Sequence, residues 1–247
     1  MNTICLIIPC FNEAKRFPVS EFRNFLQTNE ETCFCLVNDG STDDTEGMLE
    51  SLREIYPDRI SVITQPENRG KAAAVQAGML ASLLHFQSAY YGYFDADLST
   101  PLEESFLFRT RLTDKQSLQY VFGSRVAILG VKIERSLYRH LIGRVIATFI
   151  SNILHLRVYD TQCGAKLFTR SMAESVFEKP FITRWLFDVE ILARIIGMVG
   201  RNNIENVAAE VPVSSWTDKG GSKISWTYGF RVWFDLMRIR RHYKAIL

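Results

Sequence analysis

Short apolar runs recur through the first hundred residues, each followed by polar or acidic side chains and separated from the next by room for one helix. The runs are Thr3–Pro9, Cys33–Asn38, Ile60–Thr64 and Tyr91–Phe94. Between them lie amphipathic stretches near Ser20–Gln27 and Thr42–Ile55 and an Ala-rich stretch from about Gly70 to Phe86. Apolar strands alternating with helices are the signature of a parallel sheet covered by helices, which predicts an α/β fold. The chain has 247 residues, 47% of them hydrophobic, and no linker-like segment divides it, so a single domain over 1–247 is expected.

In such sheets ligands bind beyond the carboxyl ends of the strands, and the residues there are Asn12 and Glu13, then Asp39, Ser41 and Asp43, then Gln65 and Asn68, then Asp95 and Asp97. Ser41 and Asp43 read as caps of the helix that follows. Acidic or amide groups after all four strands exceed what capping requires and point to a shared nucleotide and metal site. Asp95-Ala96-Asp97 can offer hard oxygen ligands to one Mg²⁺ or Mn²⁺, the remaining ligands coming from a diphosphate. Such an ion neutralises charge on a departing nucleoside diphosphate. Gly40 after Asp39 permits a tight turn and a close backbone approach to a ligand. Lys71 follows Gly70 near a helix start, where an ammonium and helix amides can meet a phosphate together.

Ile8-Pro9 with Phe11-Asn12-Glu13, Val37-Asn38-Asp39-Gly40-Ser41-Thr42-Asp43, Asn68-Arg69-Gly70-Lys71 and Asp95-Ala96-Asp97 together resemble the family 2 glycosyltransferases. Gly123-Ser124-Arg125, Asp160-Thr161-Gln162-Cys163-Gly164-Ala165-Lys166-Leu167-Phe168, Phe187-Asp188-Val189-Glu190 and Gly221-Ser222-Lys223 are similar to the subgroup that glycosylates polyprenyl or dolichyl phosphate, nearest in wording to dolichyl-phosphate glucosyltransferases. The resemblance implies a GT-A fold, a nucleotide-sugar donor of the UDP-glucose or GDP-mannose type, inversion at the anomeric carbon and a lipid-phosphate acceptor. It assigns Pro9, Glu13 and Asp39 to the base and ribose and Gly70 and Lys71 to the donor site. Asp95 and Asp97 fall to ribose, diphosphate and metal, with Ser99 as an extra ligand. It also makes residues 1–120 the nucleotide-sugar half, 121–223 the acceptor half and 224–247 a C-terminal amphipathic helix.

Charge divides along the same line. Residues 1–120 hold 17 acidic and 10 basic groups, whereas 121–247 hold 19 basic and 10 acidic, so the second half favours an anionic partner. Arg125 and Arg135 match the family's phosphate-binding arginines, and the planar fork of arginine suits phosphate oxygens. Arg139 and Arg144 read as a solvated or headgroup-facing stripe. Asp160 either orients the acceptor or acts as base, and Asp188, beside bulky apolar residues, is the competing base. A phosphate acceptor is itself a nucleophile, so a strong base is not required. Lys223 lies on a Gly-rich loop able to close over the diphosphate, and Trp216 offers a stacking face or simple packing.

The last segment, about Ser225–Tyr243, sets Trp226, Phe230, Trp233, Phe234 and Met237 on one stripe against Arg231, Asp235, Arg238 and His242, ahead of a basic cluster. This suits the headgroup boundary of an anionic membrane; packing on the core or on a second subunit in a homo-oligomer is the alternative. The preceding helix, Ile133–Leu156, presents Leu137, Tyr138, Leu141, Val145 and Phe149 on a broad face as another wall of the lipid approach. The uncharged run Val145–Leu156 is too short to span a bilayer, so attachment would be peripheral, at the cytoplasmic face. Five cysteines in apolar runs fit a reducing compartment. A soluble or polysaccharide acceptor, or a non-catalytic nucleotide-sugar-binding scaffold, remains as an alternative. Nucleic acid is disfavoured, because the acidic strand ends repel phosphate without a metal.

Overall fold

A computed structural model describes residues 3–129, 132–134, 137–219 and 226–246. The elements are β1 (Ile4–Cys10), α1 (Val19–Thr28), β2 (Thr32–Asn38), α2 (Thr45–Ile55), β3 (Ile60–Thr64), α3 (Lys71–His85), β4 (Tyr90–Phe94), α4 (Glu104–Asp114), β5 (Tyr120–Ser124), β6 (Lys132–Glu134), α5 (Leu137–Leu154), β7 (Ala165–Thr169), α6 (Arg170–Phe177), α7 (Phe187–Val199), α8 (Ile204–Val207), β8 (Ala208–Pro212), β9 (Ser215–Thr217) and α9 (Trp226–His242).

Among the described residues, the main sheet has seven strands in the order β3-β2-β1-β4-β7-β5-β8, and β6 pairs with β9 apart from it. Every pairing in the main sheet is parallel except those of β7, which runs antiparallel to both β4 and β5. The expected mostly parallel sheet is therefore present, with one reversed strand, β7, set between β4 and β5.

Alternate side chains of each strand feed two separate cores, as the two-residue period of a strand demands. Cys5, Ile7, Cys35, Val37, Tyr93, Tyr120 and Phe168 join the core under α3, α6, α7 and α9. Ile4, Leu6, Ile8, Phe34, Leu36, Val121 and Leu167 join the core that includes α1, α2 and α4. All five cysteines are buried and divide between the two cores as small apolar side chains.

The C-terminal helix differs from its expected orientation. Val232, Leu236, Ile239 and Tyr243 form its buried edge, Met237 packs beside them, and Trp233 and Phe234 face outward. Spacings of four, three and four residues place that branched and aromatic set on one side of a helix, so the core takes it and leaves the two aromatics exposed. The side chains of Trp226 and Phe230 lie outside the described residues. Trp233 meets Phe149 of α5 edge to face at 5.2 Å.

Candidate active site

The chain winds from β1 through β2 to β3, then returns to place β4 on the other flank of β1. The strand order therefore reverses between β1 and β4, and the carboxyl edge at such a switch point is the place where open α/β sheets take ligands. Pro9, half-buried, pairs with Val37 one residue before the end of β1. Asn12 follows at φ 55°, a left-handed conformation that Asn tolerates better than most residues.

The loops after β1 and β2 are tied by side chains that were expected to cap a helix. Ser41 Oγ accepts the Asn12 amide at 2.9 Å, and Asp43 accepts the Ala14 amide at 3.2 Å and the hydroxyl of Thr45. Asn12 Oδ1 accepts the Thr42 amide at 2.8 Å, and Thr45 Oγ1 accepts the Glu13 amide at 2.8 Å. Helix α2 starts at Thr45; its N-cap residue Asp44 makes no side-chain cap bond, but Asp43 Oδ1 accepts the Thr45 amide at 3.1 Å, so Asp43 serves both the helix start and the neighbouring loop, whereas Ser41 serves the loop. The buried Glu13 carboxylate holds Arg16 through both oxygens.

Asp39 is buried, and its two oxygens accept the amides of Arg69 at 2.8 Å and Gly70 at 2.9 Å. Gly40 sits at φ +64°, and a Cβ there would overlap the backbone of Glu67 and Asn68. The close approach expected at Gly40 is thus made by the chain's own 67–68 segment. Asp39 and Gly40 together fix the loop that opens α3, whose first residue is Lys71.

Lys71 Nζ pairs with Asp95 Oδ1 and lies 5.9 Å from the Tyr93 ring centroid. Burial opposes its charge, but Asp95, Asp188 and Asp97 outweigh that and raise its pKa. Asp97 accepts the Ser99 amide at 2.9 Å across a turn in which Leu98 adopts φ 50°, and Ser99 itself is buried. Asp95 and Gly164 are also joined: the Asp95 amide donates to the Gly164 carbonyl at 3.0 Å, and a Cβ on Gly164 would overlap the Asp95 carboxylate. Reversed strand β7 begins where β4 ends, which delivers Gly164 to this point.

Among the described residues no group of three or more His, Cys, Asp or Glu side chains could enclose a metal. Two carboxylates on one turn suit a hard divalent ion that draws its other ligands from diphosphate oxygens and water, and the Lys71 ammonium on Asp95 marks a place that already attracts a cation. Asp95 and Asp97 therefore fit Mg²⁺ or Mn²⁺.

Asp188 lies deeper. It is buried at the start of α7, accepts the Tyr93 hydroxyl, and pairs with Lys166 at 2.9 Å; Lys166 is 1% exposed and comes from β7 directly opposite Tyr93. In place of the expected apolar surroundings, its Oδ1 meets an ammonium and a phenol, so the carboxylate is already engaged by the protein's own groups. Glu190, on the same helix, accepts the amides of Ile182 and Thr183 at 2.9 and 2.8 Å, and Tyr243, just past the end of α9, reaches it at 3.4 Å.

Asp160 is engaged too. Arg125 donates Nε to Oδ2 at 2.6 Å and Nη2 to Oδ1 at 2.9 Å, and the amides of Arg125 and Gln162 add bonds of 3.1 and 3.0 Å. Burial alone would raise the carboxyl pKa, but the Arg125 charge and these hydrogen bonds bring it down to about 2. A carboxylate so acidic is a poor proton acceptor near neutrality, so the geometry argues against a base role for Asp160 and for an orienting one. Trp216 is buried, with the Arg125 guanidinium 5.4 Å from its ring centroid. Arg144, expected on an outward stripe, instead lies 3.8 Å over the Tyr159 ring and donates to the Tyr159 carbonyl at 2.8 Å. Its aromatic neighbour draws it in.

Arg135, the side chains of Leu137, Tyr138 and Arg139, and Lys223 lie outside the described residues. Three polar residues that the sequence reading did not single out also support the site: Lys166, buried under it; Arg184, which donates to the carbonyls of Asn68 and Arg69; and Glu210, which accepts the amides of Tyr159 and Asp160. Lys166 and Glu210 carry charge inside strands, a pattern that could have flagged them.

The model of glycosyl transferase family 2 matches residues 5–177, and the chain belongs to that family. Among curated relatives, the dolichyl-phosphate beta-glucosyltransferase ALG5A of Trichomonas vaginalis is 32% identical over 253 residues, covering 96% of this chain and 72% of that protein. The dolichyl-phosphate beta-glucosyltransferase of Homo sapiens is 30% identical over 256 residues, covering 97% and 75%. Of solved structures, glucosyl-3-phosphoglycerate synthase from Mycobacterium tuberculosis in complex with UDP superposes with a TM-score of 0.69 at 18% identity, covering 97% of this chain and 80% of that one. Mannosyl-3-phosphoglycerate synthase from Rubrobacter xylanophilus gives 0.69 at 14% identity, covering 97% and 73%. The fold is GT-A.

Proposed function

We propose that this chain transfers glucose from UDP-glucose to a dolichyl or polyprenyl phosphate, with inversion, at the cytoplasmic surface of a membrane. The observation that carries the choice of acceptor is that both candidate bases are bound to cations, Asp160 to Arg125 and Asp188 to Lys166. A sugar hydroxyl acceptor needs a group to take its proton; a phosphate monoester is already anionic and needs only charge neutralisation and aim. The names of the relatives point the same way.

In this reading the donor lies at the carboxyl edge of the sheet, between the β1 and β4 loops. Pro9 and Glu13 border the base and ribose, and Asp39 acts by fixing the loop of Arg69 and Gly70. Asp95 and Asp97, with Ser99 beside them, would hold Mg²⁺ or Mn²⁺, which when bound offsets charge on the leaving diphosphate. Lys71, half-buried beside Asp95, supplies a second positive charge there. Arg125 presents its remaining guanidinium donors to the acceptor phosphate, whose oxygen attacks the anomeric carbon from the face opposite the diphosphate; a single displacement inverts that centre. Arg135 and Lys223 are assigned to the acceptor and diphosphate respectively.

Among the described residues no helix is long and apolar enough to cross a membrane. Exposed Leu141 and Val145 on α5 continue into Phe149, Trp233 and Phe234, and exposed Arg238, Arg240 and Arg241 follow on α9. Aromatic and aliphatic side chains beside arginines suit peripheral contact with an anionic bilayer.

The test uses purified chain, UDP-[¹⁴C]glucose, Mg²⁺ or Mn²⁺ and farnesyl phosphate. Label moving into a chloroform-soluble product is the expected result. Label confined to an aqueous glycoside in the presence of soluble acceptors would replace the lipid-phosphate assignment with the soluble-acceptor one.

A further inference from the structure

The acceptor arginine is held through a two-step support whose base is Glu210. This carboxylate, on edge strand β8, accepts the Tyr159 amide on Oε2 at 2.8 Å and the Asp160 amide on Oε1 at 2.7 Å. Both oxygens of one side chain are thereby given to two successive backbone amides. Asp160 in turn grips Arg125 along the Nε–Nη2 edge of the guanidinium.

The sheet explains why the arrangement is stiff. Strands β5 and β8 are parallel neighbours with Phe122 opposite Glu210 and Ser124 opposite Pro212, so Arg125 leaves the sheet from the strand beside the one that carries Glu210. The segment bearing Asp160 belongs to neither strand. It arrives after α5 through His155, at φ 50°, and has no ladder partner of its own in the sheet. Glu210 ties the backbone of this segment to β8, and the Asp160 carboxylate makes the other tie, to the Arg125 amide at the end of β5 at 3.1 Å.

We infer that Glu210 is a positioning residue for acceptor recognition: it fixes the Asp160 backbone, Asp160 fixes the Arg125 guanidinium, and the free edge of Arg125 is thereby aimed at the acceptor phosphate. This rests on the assignment of Arg125 to that phosphate. Glu210 touches no substrate and acts only through the two residues above it. Sub-ångström freedom in a phosphate-binding arginine weakens bidentate contact, so the expected signature is confined to the acceptor.

The experiment is a double-mutant cycle on the full chain with Arg125→Ala and Glu210→Gln, reading KM for farnesyl phosphate, KM for UDP-glucose, and the Kd for farnesyl phosphate by calorimetry. Glu210→Gln is expected to raise the acceptor KM and Kd roughly tenfold while donor KM stays within about twofold. In the Arg125→Ala background the same change should add nothing further. An acceptor effect that persists undiminished there, or a loss that falls equally on donor and acceptor, overturns the inference and makes Glu210 an ordinary loop tie. Arg125→Ala without effect on the acceptor would instead remove the assignment of Arg125. Glu210→Asp, which keeps both acceptor oxygens on a shorter stem, is expected to recover part of the acceptor affinity; recovery of none, with thermal stability unchanged, would also count against the relay.

Discussion

The guanidinium of Arg125 lies edge to edge with the carboxylate of Asp160, Nε 2.6 Å from Oδ2 and Nη2 2.9 Å from Oδ1, with the Trp216 ring beside it. A buried pair of this kind is costly to break by removing one member, because the other charge stays behind without compensation. Asp160→Asn is expected to lower stability by about 3 kcal/mol and to cut transfer to farnesyl phosphate more than tenfold. Urea unfolding and initial rates measure the two effects; a variant as stable and active as the parent would deny the pair any role.

The same pair predicts part of the acid response. In the folded chain Asp160 stays ionised down to about pH 2, whereas in the unfolded chain it titrates near the ordinary Asp value. Between those values the unfolded state binds more protons, so the contribution, about 2 kcal/mol, is complete above roughly pH 4 and is lost as pH falls towards 2. Stability against pH should lose that part of its slope in Asp160→Asn. An identical slope in both proteins would refute the coupling.

Asp97→Ala removes one of the two carboxylates assigned to the metal, together with its bond to the Ser99 amide in the turn after β4. Transfer should fall at least about a hundredfold, with the melting temperature nearly unchanged and Mn²⁺ binding lost by electron paramagnetic resonance. Unimpaired, metal-stimulated turnover would move the metal elsewhere.

Gly164→Ala places a methyl group where the Asp95 carboxylate now lies. Either Asp95 turns away or β7 shifts against β4, and overpacking of this type costs about 1–3 kcal/mol. UDP binding by calorimetry should weaken strongly. If UDP affinity and stability both survive, the contact between the β7 start and the donor site has no functional weight.

Trp233→Ser with Phe234→Ser removes exposed aromatics and leaves the buried edge of Val232, Leu236, Ile239 and Tyr243 in place. Binding to phosphatidylserine-containing vesicles should weaken roughly tenfold while soluble turnover persists. Deleting the whole helix is a poorer test, because it strips four buried side chains from the core and the protein would lose stability with the membrane contact.

The alternation of apolar runs with helices made the first four strands legible, since a parallel sheet leaves a local signature in the chain. The reversal of β7 was not legible: Ala165–Thr169 is five residues long, and only its pairing with Tyr90–Phe94 reveals its direction. At the site, Asp39, Lys71, Asp95 and Asp97 stood out as polar residues after apolar strands, and the structure sets Lys71 on Asp95 and ties Asp39 to the loop before Lys71. That Asp188 and Asp160 each face a protein cation was invisible, because Lys166 is 22 residues from Asp188 and Arg125 is 35 from Asp160. The orientation of α9 failed for a related reason. Two stripes of that helix are apolar, and only packing against the rest of the core selects one of them.

Strand β4 has consequences for how the chain is made. Its second edge is covered by β7, which leaves the ribosome only after β5, β6 and α5 have been synthesised. During that interval the Tyr90–Phe94 edge, rich in aromatic residues, is exposed to any other extended peptide, and a nascent chain stalled before Ala165 would present a ready template for aggregation.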